Sequence, residues 1–317
     1  MIAGDLALAC VLDAVVGDPR WLPHPVRLMG HVITWYDEWV RLACRSTAGL
    51  RRAGVVLALG LPTLSYATGW LILALSGNVH EWLGRGLGIY LAFTTLAWRD
   101  LADHASAVLG ALNAGSLPQA RQAVSLIVGR DAESLSEAEV VRATVETIAE
   151  STSDGVIAPL FYLALGGVPL ALAYKAINTL DSMVGHRNEK YLDLGWASAR
   201  LDDLANWIPA RLSAGLMVIA AGLTMRGADS ARESWRILMR DSHKHPSPNS
   251  GRPEAAMAGA LGVQLGGVNR YSGIESERPC LGDALEPLAP RHIEQARMLM
   301  TTTYLLAIAG AVVFLWL

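Results

Sequence analysis

Charge is scarce in this chain of 317 residues: 17% of positions are Asp, Glu, Lys or Arg, against about 25% in an ordinary soluble domain. Neither sign prevails, because the net charge is −3 and the pI is near 6.2, which argues against nucleic-acid binding through a basic face. Cysteine is also sparse. Cys10, Cys44 and Cys280 make no Cys-x-x-Cys pair, so neither a disulfide framework nor a zinc site is implied. No P-loop pattern, Gly-x-Ser-x-Gly or His-Glu-x-x-His occurs, which disfavours P-loop nucleotide binding and the familiar hydrolase and zincin classes. Repeats and low-complexity tracts are absent. Apolar residues, in contrast, fill 52% of the chain before its 30 glycines are counted, and mean hydropathy is +0.31. Such a composition predicts a membrane protein, and the helical spacing between its apolar runs predicts an all-α, polytopic one.

Six apolar runs lie near residues 2–16, 54–75, 87–98, 155–174, 212–225 and 298–317, within a chain read as one membrane-embedded domain. The first run is not read as a signal peptide, since it lacks a basic flank and carries Asp5 and Asp13. Run 155–174 contains Pro159, Gly166, Gly167 and Pro169, which suits a broken or re-entrant helix. Run 212–225 is short for a crossing. Setting those two aside favours four crossings and puts 25 of the 26 Lys and Arg residues on one side, with Arg85 alone opposite. The positive-inside rule makes that side cytoplasmic. Helices are expected over Leu117–Ile127 and Ser134–Glu150, the second with a capping box of Ser134 and Glu137. No window alternates with period two.

Polar residues gather in segments 17–31, 146–154, 175–211 and 243–273. Glu146, Glu150 and Asp154 recur every four residues, a spacing that puts three like charges on one helical face. At the mouth of an apolar run that face suits a cation, Mg²⁺ above all; a plain solvated helix face is the alternative. Lys175, Asn178 and Asp181 follow the same run, and Arg200, Asp202, Asp203, Asn206 and Arg211 repeat the theme. Ionisable residues at a membrane edge are functional candidates, with an interfacial helix laced by internal ion pairs as the other reading. Only three lysines occur, Lys175, Lys190 and Lys244, against 23 arginines, and all three fall in polar segments. The stretch His243-Lys-His-Pro-Ser-Pro-Asn-Ser-Gly-Arg-Pro-Glu254 precedes an alanine-rich helix. Ser247, Asn249 and Ser250 at its N-terminus, flanked by Lys244 and Arg252, suit a phosphate. His243 and His245 have no nearby cysteine or third histidine to complete a zinc site. The proline-rich loop 17–27, with His24 and Arg27, suits a substrate lip or an interfacial anchor. Gly262, Gly266 and Gly267 fit no Gly-x-Gly-x-x-Gly pattern, no strand is expected before them, and they are expected to allow close helix or loop packing. Chemistry alone thus reaches a Mg²⁺-dependent transferase or ligase for phosphorylated substrates.

The stretches 17–27, 146–160, 174–185, 199–211 and 247–255 resemble, in order and spacing, the adenosylcobinamide-phosphate synthases, the CobD/CbiB membrane family of cobalamin biosynthesis. The likeness covers nearly the whole chain. It departs where relatives usually read Glu-Asn-Thr and this chain has Glu150-Ser-Thr152, and where Tyr-Lys is replaced by His186-Arg187. The resemblance implies ATP-dependent amide formation between adenosylcobyric acid and (R)-1-amino-2-propanol phosphate at the cytoplasmic face of the cell membrane. On that basis Mg²⁺ is expected on some of Glu146, Glu150, Asp154, Asp181, Asp202 and Asp203. Lys175, Lys244 and Arg252 are expected as phosphate clamps, and His24 or His245 as proton acceptor; Asp154 and Asp181 join the catalytic set. Arg27, Asn178, Ser247, Asn249, Ser250 and Arg211 are expected substrate contacts. A membrane transferase using a diphosphate or CDP-alcohol donor stays open, because Asn178/Asp181 and Asp202/Asp203/Asn206 resemble paired aspartate motifs. A transporter would instead put paired charges at the midplane. The sequence allows a homo-oligomer without fixing one.

Overall fold

The computed structural model describes every residue except Arg20, Arg45, Arg187 and Ser272, so the expectations touching Arg20 and Arg187 lie outside the described residues. In chain order the helices are α1 (Ala3–Val16), α2 (Pro25–Ala43), α3 (Thr47–Val79), α4 (Glu81–Phe93), α5 (Trp98–Asn113), α6 (Leu117–Ser125) and α7 (Glu137–Ser151). A π-helical segment, Thr152–Ile157, joins α7 to α8 (Ala158–Val184), followed by α9 (Trp196–Ala205), α10 (Trp207–Thr224) and α11 (Ala228–Asp241). A 3₁₀ turn (Ser242–Lys244), α12 (Gly251–Leu261), an antiparallel hairpin of β1 (Leu265–Tyr271) and β2 (Ile274–Leu281), and α13 (Arg291–Trp316) complete the chain. The protein is an all-α polytopic membrane protein with one small hairpin.

Four helical runs are long and apolar enough to cross a bilayer: α3, the run Glu137–Val184, α10 and α13. This corrects the parsing of the sequence into crossings. Runs 54–75 and 298–317 qualify, but α1 and α4 have 14 and 13 residues, fewer than the roughly 20 that span hydrocarbon. Run 212–225 belongs to an 18-residue helix. The sequence reading cut it at Arg211, whose guanidinium lies over the Trp207 ring at 3.9 Å and donates to Trp207 O. A long cationic side chain held this way does not end a helix.

The expectation of a broken helix at 155–174 is met. Gly166 and Gly167 leave helical geometry, Gly167 at φ 67°, ψ −163°, a region open only to glycine. In a continuous helix Tyr162 and Tyr174 would stand about 18 Å apart at 1.5 Å per residue; instead their rings stack with centroids 4.9 Å apart. The chain therefore doubles back at Gly166–Gly167, and α8 is a helical hairpin, not one straight helix.

The chain divides into two compact units. The first comprises Met1–Ala97, Ala158–Asn206 and Ile308–Leu317. In it α3 packs on α8, and α1 meets α4, where buried Asp5 accepts from Arg85 at 2.8 Å. Pro25 opens α2, its fixed φ suiting a first helical position. That helix buries Met29, Ile33 and Val40 and exposes Trp35 and Trp39, the amphipathic pattern of a helix lying in the membrane interface.

The second unit comprises Trp98–Ile157 and Trp207–Ala307. Its centre is α12, buried almost all round. Alanines let α11 approach so closely that a Cβ on Gly259 would stand 2.6 Å from Glu233 O. The capping box of α7 is Ser136 with Glu139, two residues beyond the expected pair. Both pairs satisfy the Ser-x-x-Glu pattern, and the second fits the helix start. No strand precedes Gly262, Gly266 and Gly267, as expected, but the last two lie within β1 of the hairpin, which no period-two alternation announced. Both glycines have positive φ, at 85° and 87°, beside a bulge between Leu265 and Gly267. Nearly all of β2 is exposed, so no apolar alternation marked it.

Candidate functional site

In the first unit the polar residues of α8 and α9 converge. Lys175, Asn178 and Asp181 recur at three-residue spacing on the returning half of α8. Asp202 on α9 is only 9% exposed. Asn206 Nδ2 donates to Asp202 Oδ2 at 2.9 Å, and Tyr174 Oη donates to Asn206 Oδ1 at 2.8 Å. Asp202 Oδ1 has no hydrogen-bond partner among the described residues. Burial, reinforced by the nearby charge of Asp181, pushes the Asp202 carboxyl up to about 8, while Asn206 and Asn178 favour its charged form. A Cβ on Gly185 would stand 1.9 Å from Asp181 Oδ1, so a glycine there lets the backbone close around that carboxylate.

His24 and Arg27 belong to the same unit. Arg27 donates to Asp18 Oδ1 at 2.8 Å and to Pro19 O at 3.1 Å, and His24 Nε2 lies 3.8 Å from Asp18. These contacts fasten loop 17–24, and Tyr90 Oη bonds to Pro23 O. His24 also lines a largely apolar cavity of about 410 Å³ with Leu28, Leu64, Ile72 and Leu172.

The second unit holds the other candidates. Glu146 is buried, and its oxygens accept from Arg130 and from Gly266 N (2.8 Å), with Arg142 Nε at 3.9 Å. Arg130 also reaches Asn269 Oδ1, and Arg142 donates to the carbonyls of Gly266 and Val268. This network clamps β1 to α7, and both Glu146 oxygens are committed to it. Glu150 accepts from Ser250 Oγ at 2.8 Å. Asp154 lies in the π-helical segment, whose wider turn departs from the α-helical phase that put it on one face with Glu146 and Glu150.

Lys244 forms an ion pair with buried Asp241 at 2.6 Å, beside Arg240 at 2.6 Å. Burial alone would raise the Asp241 carboxyl, but Arg240, Lys244 and the Gly282 N–H hold it below the usual range. Ser247 Oγ accepts from Asn249 N (3.3 Å) and Ser250 N (3.2 Å), so a side chain already takes amides expected to face a phosphate. Arg252 and Arg211 present a different situation. Arg211 stacks on Trp207, and neither arginine has a carboxylate partner among the described residues. Arg252 Nε has no acceptor.

Glu254 and Arg278 escaped the sequence reading as site residues. Glu254 entered only as the last residue of the stretch 243–254, and Arg278 lies on a strand that no motif marks. Among the described residues no group of three or more His, Cys, Asp or Glu side chains is arranged to hold a metal.

The chain matches the family model described as CobD/Cbib protein over residues 6–300. It is 52% identical over 290 residues to "Cobalamin biosynthesis protein CobD" of Geobacter metallireducens, covering 90% of this chain and 88% of the relative. It is 48% identical over 303 residues to the protein of that name from Klebsiella pneumoniae subsp. pneumoniae, covering 95% and 94%. With "Cobalamin biosynthesis protein CbiB" of Salmonella typhi it shares 46% over 302 residues, covering 95% and 94%. No solved structure matches. On a match of this extent, at these identities, the chain belongs to the CobD/CbiB family.

Proposed function

We propose that this protein is a membrane enzyme of cobalamin biosynthesis that joins (R)-1-amino-2-propanol phosphate to the free carboxylate of adenosylcobyric acid, at the expense of ATP. The observation that carries the reading is the chemistry of the polar clusters in a chain of this family: an acidic, oxygen-rich cluster on α8 and α9, and guanidiniums without carboxylate partners around the start of α12. In this reading the corrin carboxylate attacks the γ-phosphorus of ATP, ADP departs, and the amine displaces phosphate from the acyl phosphate. Catalysis is then chiefly positioning and charge neutralisation.

Asp181 and Asp202 fit Mg²⁺, which takes one or two carboxylates and keeps its waters. The orphaned Asp202 Oδ1 supports that fit. Bound there, Mg²⁺ would neutralise phosphate charge; Asp203 is a further candidate in the same unit. Glu146 and Lys244 we assign instead to the framework, since Arg130 and Asp241 engage them. In the second unit Arg211 and Arg252 hold a phosphate, and in the first Lys175 is the candidate clamp. The active site faces the cytoplasm of the inner membrane.

Asn178, Asp181, Asp202 and Asn206 gathered on two helices also favour a transferase that uses a diphosphate donor. Nucleotide dependence separates the two. Purified protein in detergent, given both substrates and Mg²⁺, is expected to yield amide product by mass spectrometry only when ATP is present. Product formed without ATP, or only from isoprenoid diphosphate or CDP-alcohol donors, would overturn the ligase reading.

A further inference from the structure

The imidazole of His245 lies between an acid and a base that do not satisfy each other. Ser247 N donates to His245 Nδ1 at 3.1 Å, so the neutral ring carries its proton on Nε2. Glu254 Oε1 lies 3.7 Å from that nitrogen, and Arg278 Nη1 lies 3.5 Å from it on β2. Glu254 is 3% exposed, yet its carboxylate makes no hydrogen bond to any described residue. Burial, with Glu146 and Glu150 nearby, raises its pKa well above the usual range. Arg278 is half-buried and donates to Tyr271 Oη at 3.0 Å, but it pairs with no carboxylate among the described residues. Leaving a buried carboxylate unpaired beside a half-buried guanidinium is costly, chiefly for the carboxylate. The cost is relieved by a ligand that brings a donor to one and an acceptor to the other.

We propose that Glu254, His245 and Arg278 form the receptor for a small zwitterion, with its primary ammonium on Glu254 and its phosphate on Arg278. The proposal rests on the ligase reading, in which one substrate is an amino-alcohol phosphate, and it adds Glu254 and Arg278 to the expected site residues. A metal is the poorer occupant, because the guanidinium of Arg278 would oppose a cation beside His245. ATP is poorer as well, since it offers no ammonium to Glu254.

The test is binding to the purified full chain in detergent, by calorimetry, of three probes: 1-amino-2-propanol phosphate, the same phosphate lacking the amine, and the amino alcohol lacking the phosphate. Loss of either group is expected to weaken binding to the native protein about tenfold or more. Glu254→Gln should bring the affinities of the amine-bearing and amine-free phosphates together, and Glu254→Asp should restore part of the difference. Arg278→Met should erase the contribution of the phosphate while sparing that of the amine, which tests the site independently if Glu254→Gln fails to fold. Variants that keep the native discrimination would overturn this site and leave the ligase reading intact. A native protein that binds none of the probes would overturn both.

Discussion

Replacing Asp202 by asparagine should stabilise the metal-free protein, and more so at pH 8 than at pH 5. Burial and the neighbouring Asp181 push the Asp202 carboxyl from 3.8 to about 8 on folding. A carboxyl raised in this way is ionised in the unfolded chain but protonated in the folded one between those values. Folding then takes up a proton, and stability falls as pH climbs from about 4 to about 8. At about 1.4 kcal/mol per pH unit the loss reaches at most about 5 kcal/mol by pH 8. Asparagine has the same shape, leaves an oxygen to accept from Asn206 Nδ2, and has no proton to lose. Thermal unfolding of both proteins in detergent with a chelator, followed by tryptophan fluorescence from pH 5 to 9, should show a gap widening to roughly 10 °C near pH 8. Added Mg²⁺ should raise the melting temperature of the native protein and not that of the variant. A gap that stays constant with pH, or a native protein more stable at pH 8, would refute the reasoning.

Other substitutions separate framework from site. Arg130→Ala strands Glu146 in a buried setting and should cost about 3 kcal/mol or more, read as a fall in melting temperature; a cost below about 1 kcal/mol would deny the clamp on β1. Gly167→Ala forces a side chain into a backbone region open only to glycine and should cost about 1–3 kcal/mol, by the same assay. Arg252→Ala should raise KM for a phosphorylated substrate about tenfold. Because Arg252 Nε is buried with no acceptor among the described residues, the substitution should leave the melting temperature unchanged or higher. Lys244→Ala should do the reverse, lowering stability through Asp241 with KM little changed.

Membrane character, helical class and the break at Gly166–Gly167 were all legible in the sequence, because hydropathy, length and paired glycines act locally. The crossings were misassigned where run length stood in for helix length. Arg211 interrupts a hydropathy run but not α10, and α1 and α4 are apolar yet short. The hairpin was illegible because exposed strands carry no apolar alternation. Motif spacing pointed to Asp181, Asp202 and Arg252, but it was silent on partners distant in sequence. Only the fold reveals that Arg130, 16 residues away, engages Glu146, or that Asp241 claims Lys244. Arg278 enters through a strand pairing, and Glu254 stands out only once its burial and missing hydrogen bonds are known.

The most direct test of the account follows the oxygen of the corrin carboxylate. Adenosylcobyric acid labelled with ¹⁸O at both carboxylate oxygens would be converted with ATP and 1-amino-2-propanol phosphate, and all products analysed by mass spectrometry. Attack on the γ-phosphorus predicts one ¹⁸O in the released inorganic phosphate and one in the amide carbonyl. Label in AMP, or amide formed with no ¹⁸O in inorganic phosphate, would contradict it.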